Sequence, residues 1–127
     1  MTATILFVDD EPDLEALVLQ KFRRQIREGA VTVIFARDGI EALESIERHP
    51  QVDMVVSDIN MPRMDGITLV KELRKLPNYR GVPIVLLTTE SDENFKKQAK
   101  EAGATGWITK PFKQEQLLAV AQKLLGK

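Results

Sequence analysis

The sequence predicts an α/β fold in which five strand–helix units follow one another and build a doubly wound, five-stranded parallel sheet. Three observations predict it. Short apolar runs rich in β-branched residues recur about every 25 residues along the 127-residue chain. The stretches between them carry apolar residues at helical spacing. Helix caps, prolines and glycines stand where the two patterns meet.

The runs lie at residues 5–8, 31–36, 52–56, 82–87 and 106–109. They are continuous rather than alternating, which is the pattern of strands covered on both faces. Leu14, Leu17, Val18, Phe22 and Ile26 form the stripe of a first helix, and Ile40, Leu43 and Ile46 that of a second. Ile67, Val70, Leu73 and Leu76 mark a third. A fourth is weaker, with Phe95, Ala99 and Ala102 on a very polar segment, and a fifth carries Leu117, Leu118, Ala121, Leu124 and Leu125. Pro12 suits a first helical turn, Gly29 and Gly103 suit helix ends, and Pro50 and Pro77 fall just past helices. Asp38 and Asp65 suit the caps of the second and third helices. Right-handed crossovers between successive strands then require a parallel sheet with helices on both faces.

Composition narrows the function. With 18 Lys+Arg against 19 Asp+Glu, the net charge of −1 argues against a partner bound by general attraction to nucleic-acid phosphates. Zero cysteines remove disulfides, thiolate metal sites and cysteine nucleophiles, and fit a reducing, cytoplasmic compartment. No apolar run approaches the roughly 18 residues of a membrane helix, and the N-terminus does not read as a signal peptide. No linker or second composition interrupts residues 1–127, so one domain is expected, and a stand-alone one is favoured.

In an open parallel sheet the ligand site lies outside the carboxyl ends of the strands. The residues there are Asp9-Asp10, Arg37-Asp38, Asp58-Ile59-Asn60, Thr88-Thr89-Glu90 and Lys110-Pro111. Asp9, Asp10 and Asp58 are thereby aimed at one place. At about 5 Å and an effective dielectric near 20, each ionised pair repels by roughly 3 kcal/mol, so such a cluster needs relief. Lys110 can supply it, and so can a hard cation: an all-oxygen set with no His or Cys nearby suits Mg²⁺ and not zinc. Taken singly, each residue has a plainer reading. One Asp could cap the first helix, Thr88 could be a turn residue, Lys110 a solvated lysine, and Pro111 a strand stop, although Lys-Pro is also a candidate for a cis peptide. Capping does not account for the pair together with Asp58.

The motifs Ile5-Leu6-Phe7-Val8-Asp9-Asp10-Glu11-Pro12, Val55-Val56-Ser57-Asp58-Ile59-Asn60-Met61-Pro62, Met64-Asp65-Gly66, Leu87-Thr88-Thr89-Glu90 and Lys110-Pro111-Phe112 occur in that order. With them the sequence resembles the receiver domain of two-component response regulators, of the single-domain CheY type, over essentially the whole chain. The resemblance implies a flavodoxin-like strand order 2-1-3-4-5 and a signalling module rather than a turnover enzyme. It implies that Asp58 is the phosphoacceptor, taking a phosphoryl group from a histidine kinase, a phosphotransfer protein or a small acyl phosphate. Asp10, Asp58 and the Asn60 carbonyl would ligate Mg²⁺, with Asp9 acting through a bound water. Lys110 and Thr88 would meet the phosphoryl oxygens. Asn60 and Glu90 would flank the path of the hydrolytic water and set a short phosphoryl lifetime.

Trp107 stands where the family usually has Tyr, Phe or His, so its part as a moving aromatic switch is the open element of the resemblance; an ordinary packed residue is the alternative. The face made by the fourth helix, fifth strand and fifth helix is the expected docking surface for a downstream protein. Ala104-Thr105-Gly106 replaces the acids that accompany dimerisation through this face, so a monomer is expected. His49, before Pro50, reads as a surface residue, and Met61 and Met64 as loop packing. A flavodoxin would need a Ser/Thr/Gly phosphate loop where Asp9–Asp13 stands. A dehalogenase-type phosphatase would need a second Asp where Asn60 stands, and a degenerate receiver would have lost the acids.

Overall fold

The computed structural model describes residues 3–61, 63–89, 93–110 and 113–125. The strands are β1 (Ala3–Val8), β2 (Val31–Ala36), β3 (Met54–Asp58), β4 (Ile84–Thr88) and β5 (Gly106–Thr109). The helices are α1 (Pro12–Lys21), α2 (Arg23–Arg27), α3 (Gly39–Arg48), α4 (Gly66–Lys75), α5 (Glu93–Ala102) and α6 (Gln114–Leu125), with a 3₁₀ turn at Pro77–Tyr79. The strands pair in parallel in the order β2-β1-β3-β4-β5. That is the order the resemblance implies.

Alternation explains why the strand sequences are continuous and apolar. Leu6, Val8, Val55, Ile84 and Leu86 face α3, α4 and α5. Ile5, Phe7, Met54, Val56, Val85 and Leu87 face α1, α2 and α6. Each central strand therefore buries both of its faces, and only the edge strands β2 and β5 carry exposed positions. Among the described residues no helix is long and apolar enough to cross a membrane.

Strand boundaries differ from the predicted ones in an informative way. β3 and β4 begin two residues later than hydrophobicity suggested and run on to Asp58 and Thr88. The parallel ladder continues that far, pairing Val8 with Ser57 and Asp58 with Leu87. The polar residues are thus the last rungs of buried strands, not the first residues of loops.

The single first helix that the apolar stripe predicts is broken at Phe22, which leaves the helical region at φ −94°, ψ 9°. Phe22 is fully buried, edge-on to Phe7 with ring centroids 5.9 Å apart. Leu14 and Val18 are buried as expected, but Leu17 is 38% exposed. After the break, Gly29 takes φ +77° and the N–H groups of Gly29 and Ala30 donate to the carbonyls of Ile26 and Gln25. That closes α2 in a Schellman motif. Gly103 at φ +104° closes α5 in the same way. Asp38 and Asp65 cap α3 and α4 as expected, accepting from the N–H groups of Glu41 at 2.9 Å and Thr68 at 2.8 Å.

Gly66 opens α4 and sits against the end of β3. Its N–H donates to the Ile59 carbonyl at 2.9 Å, and a Cβ there would collide with the Asp58 carbonyl oxygen. The obstacle is backbone, which cannot swing aside. Gly66→Ala is expected to destabilise the protein by about 1–3 kcal/mol. Gly81→Ala, with no atom within 4 Å of the added methyl group, is expected to leave stability nearly unchanged. Urea denaturation of the two variants checks this.

Candidate functional site

The ends of β1, β3 and β5 bring together the residues that the motifs singled out. Each of Asp9, Asp10 and Asp58 offers a carboxylate oxygen within 4.8 Å of the others. Lys110 Nζ stands 3.2 Å from Asp58 Oδ1 and 3.9 Å from Asp9 Oδ2. The Asp58 side chain is also tied to its own turn, with Oδ1 accepting from the Ile59 N–H at 2.8 Å. Below it, the Ser57 hydroxyl donates to the Asp58 carbonyl at 2.8 Å. Asp58 is thus buried, oriented and paired, while Asp10 lies at the exposed rim.

Burial and charge act against each other at Asp9. Its carboxyl is pushed up from an ordinary 3.8 to about 6, chiefly by burial, with the charges of Asp58 and Asp10 adding to the rise. The Glu11 N–H, which donates to Asp9 Oδ1 at 2.8 Å, and the Lys110 ammonium oppose it. α1 has Glu11 as its N-cap and no side-chain cap bond, so Asp9 does not cap it; the bond from Glu11 is a local turn. It uses only Oδ1, while Oδ2 faces Lys110. Among the described residues, three carboxylates against one ammonium leave an excess of negative charge among oxygen donors, which is the chemistry that holds a hard divalent cation.

Thr88, 1% exposed, ends β4. Its carbonyl accepts the Lys110 N–H at 2.7 Å, so the backbones of two predicted phosphoryl-binding residues are joined directly. Asn60 follows Asp58 on the exposed start of the next loop. Trp107 is half-buried on β5, edge-on to Phe95 of α5 with centroids 6.0 Å apart. Glu90 and Pro111, predicted for lifetime control and for a cis peptide, lie outside the described residues. His49 is exposed at the end of α3, and Met61 and Met64 pack against the core beneath the loop, both as expected.

Sequence reasoning missed a second ion pair next to this site. Arg63 donates from Nε to Asp38 Oδ2 at 2.8 Å and from Nη2 to Oδ1 at 3.1 Å, and this fork holds the Asp38 carboxyl below its usual range. The only signal in the sequence was a cation in the loop after Asp58, which reads the same as any surface arginine.

Comparison with known proteins agrees with this geometry. The family model described as the response regulator receiver domain matches residues 5–122. The chain is 30% identical to the chemotaxis protein CheY1 of Helicobacter pylori, covering 96% of each. It superposes on CheY4 of Vibrio cholerae with a TM-score of 0.86 and 37% identity, covering 98% of this chain and 100% of that one. It is also similar to the receiver domain of a Pseudomonas aeruginosa sensor histidine kinase, solved with a magnesium ion coordinated in its active site cleft (TM-score 0.84, 29% identity, full coverage of both). Two further relatives, named as histidine kinases, are far longer, and the chain spans 7% and 14% of them. The chain belongs to the response regulator receiver domain family of two-component signalling and is CheY-like.

The raised pKa of Asp9 has a signed consequence for the metal-free protein. Because the folded pKa lies above the unfolded one, the folded state binds more protons between about pH 4 and pH 6, and stability falls as pH rises through that window. Asp9→Asn keeps the bond from Glu11 but cannot ionise. It is expected to be more stable than wild type by about 1–2 kcal/mol at pH 7, after allowance for solvent screening, and no more stable below about pH 4. Urea titrations at the two pH values measure the difference.

Proposed function

We propose that the chain is a phosphorylation-activated switch: one receiver domain over residues 1–127 that accepts a phosphoryl group on Asp58 and presents a changed face to a downstream protein. The observation that carries this reading is the approach of Lys110 Nζ to Asp58 Oδ1 at 3.2 Å beside two further carboxylates. A carboxylate held by an ammonium, next to an oxygen-only cation site, is equipped to attack a phosphorus centre and to neutralise the charge that results.

The cation that fits the donor set is Mg²⁺, held by Asp10, Asp58 and the Asn60 carbonyl, with Asp9 reaching it through water. Bound there, it offsets charge on the phosphoryl oxygens. The remaining roles belong to the chain. An Asp58 oxygen forms the new P–O bond while the P–N bond of a phosphohistidine, or the P–O bond of an acyl phosphate, breaks. Lys110 and the Thr88 hydroxyl hold phosphoryl oxygens. To Asn60 and Glu90 we assign control of how soon the acyl phosphate is hydrolysed. The donors are a histidine kinase or phosphotransfer protein, and the site of action is the cytoplasm, as a monomer.

The responsive face is α5–β5–α6. Thr88 is linked to Lys110 through the backbone, and β4 pairs with β5 along Leu86–Trp107 and Thr88–Thr109. A shift of Thr88 toward a phosphoryl group is thereby delivered to the strand that carries Trp107 and, through the Phe95 ring, to α5.

Treatment with acetyl phosphate and Mg²⁺ is expected to add one phosphoryl group by mass spectrometry, and Asp58→Asn to abolish the gain. No gain in wild type under saturating donor would sink the proposal. Phosphate release at neutral pH is expected to give a lifetime of seconds to minutes. Trp107 emission is expected to change when Mg²⁺ and beryllofluoride are added, whereas unchanged emission and quenching would show a fixed ring and leave Thr88 as the sole moving part.

A further inference from the structure

Arg63 occupies a position that its own backbone disfavours. Among the described non-glycine residues it alone has positive φ, at 65°. Glycine or asparagine fits that conformation better. Its side chain is more than half exposed, while that of its partner Asp38 is 7% exposed, so the pair is not a solvated surface one. Backbone preference therefore does not account for an arginine here.

Its partner is unusual in the opposite sense. Asp38 is buried at 5% exposure and already spends one bond on capping α3. The guanidinium adds two more in a bidentate fork, the geometry that fixes direction as well as distance. Two neighbouring contacts reinforce the tie. The Gly39 N–H donates to the Met64 carbonyl at 3.4 Å, and the Met64 side chain fills the space where a Cβ on Gly39 would stand. On the other side, Gly66 is closed onto Ile59 and the Asp58 carbonyl. Asn60 lies between Asp58 and these anchors. β1 lies between β2 and β3 in the sheet, so the tie runs from the end of β3 to the end of β2, past the strand end that bears Asp9 and Asp10.

We propose that the Arg63–Asp38 fork is a positioning device for the cation and phosphoryl site, fixing the segment that carries Asn60 relative to Asp58. Arg63 is then a positioning residue that acts through Asn60, and this rests on the reading of Asn60 as a Mg²⁺ ligand. The left-handed backbone at residue 63 goes with a guanidinium turned back to Asp38, and the fork ties the loop that carries Asn60 beside the three convergent carboxylates.

The test separates this role from a merely structural one. Arg63→Asn tolerates the same backbone and removes the fork. Asp38→Asn keeps a side-chain oxygen for the Glu41 N–H and removes the charge. Each is titrated with MgCl₂ while amide shifts are followed by NMR, and each is unfolded with urea. Both single variants are expected to bind Mg²⁺ about tenfold more weakly, the lower end of the cost of losing groups that orient a metal ligand. The double variant is expected to be no weaker than either, because one tie is removed once. Arg63→Lys, which can keep a single contact, is expected to fall between; Arg63→Asn is expected to lower the urea midpoint by leaving the Asp38 carboxylate unpaired, and the double variant, which has no unpaired charge, to recover the midpoint but not the Mg²⁺ affinity. Wild-type Mg²⁺ affinity in both single variants overturns the inference while leaving the metal reading intact. Weaker binding that merely tracks a collapse of the urea midpoint also overturns it. A wild-type protein that shows no response to Mg²⁺ overturns the metal reading, and the inference with it.

Discussion

Mutual repulsion among three carboxylates is the constraint on which the rest of this molecule depends. Asp9, Asp10 and Asp58 are brought within 4.8 Å of one another by two adjacent parallel strands, and among the described residues Lys110 is the one ammonium set among them. A loop-built site would relieve such repulsion by moving apart. Here Asp58 ends, and Asp9 and Asp10 follow, strands buried on both faces, so separating them would break the ladder between Val8 and Ser57 and expose core. The sheet converts burial of apolar surface into a standing electrostatic tension at one end. Asp9, whose carboxyl is held near 6 chiefly by burial, records part of that tension in the added push from Asp58 and Asp10. A divalent cation or a proton lowers the free energy of the site more than that of a relaxed carboxylate pair, which makes the folded state itself the source of affinity.

The fold was legible because its signals are redundant. Continuous β-branched runs, helical stripes and caps such as Asp38 and Asp65 all agree on the same five units. Asp9, Asp10, Asp58, Thr88 and Lys110 were legible for a related reason. A parallel sheet places every post-strand residue at the same end, so assigning strands assigns the site. What hydrophobicity could not show was that polar residues continue the ladder. Asp58 and Thr88 are strand residues because their backbones still find partners, and side-chain polarity carries no information about that. The break at Phe22 was equally invisible, because its stripe spacing is compatible with an unbroken helix. The break follows from seating Phe22 against Phe7, a tertiary contact.

Arg63 was beyond reach for a different reason. Its partner is 25 residues away on another strand end, and its backbone conformation is set by the loop rather than by its own preference. Gly66 lay between these cases. It stood inside a motif, but its role as the point where α4 presses on the β3 carbonyl needs the two elements in place. Local signals read out what each strand and helix is. Ties between loops are read only from the assembled fold.

The same distinction orders the parts of the proposed switch. Asp58 and Lys110 can change their interactions through their side chains alone, without moving the sheet. Thr88 cannot, since its carbonyl holds the Lys110 N–H and its strand is fully buried up to that residue. A pull on the Thr88 hydroxyl is therefore opposed by the ladder unless β5 yields with it. β5 is the strand most able to yield: it is the shorter edge strand, has one neighbour, and carries one buried residue, Ile108. The indole of Trp107 rests on this pliant strand against Phe95, whose helix buries only Phe95, Ala99 and Ala102 among the described residues. Stiffness at the end of β3 and compliance at β5 follow from strand order, strand length and burial, and in the proposed switch they favour displacement toward α5 over displacement back into the core.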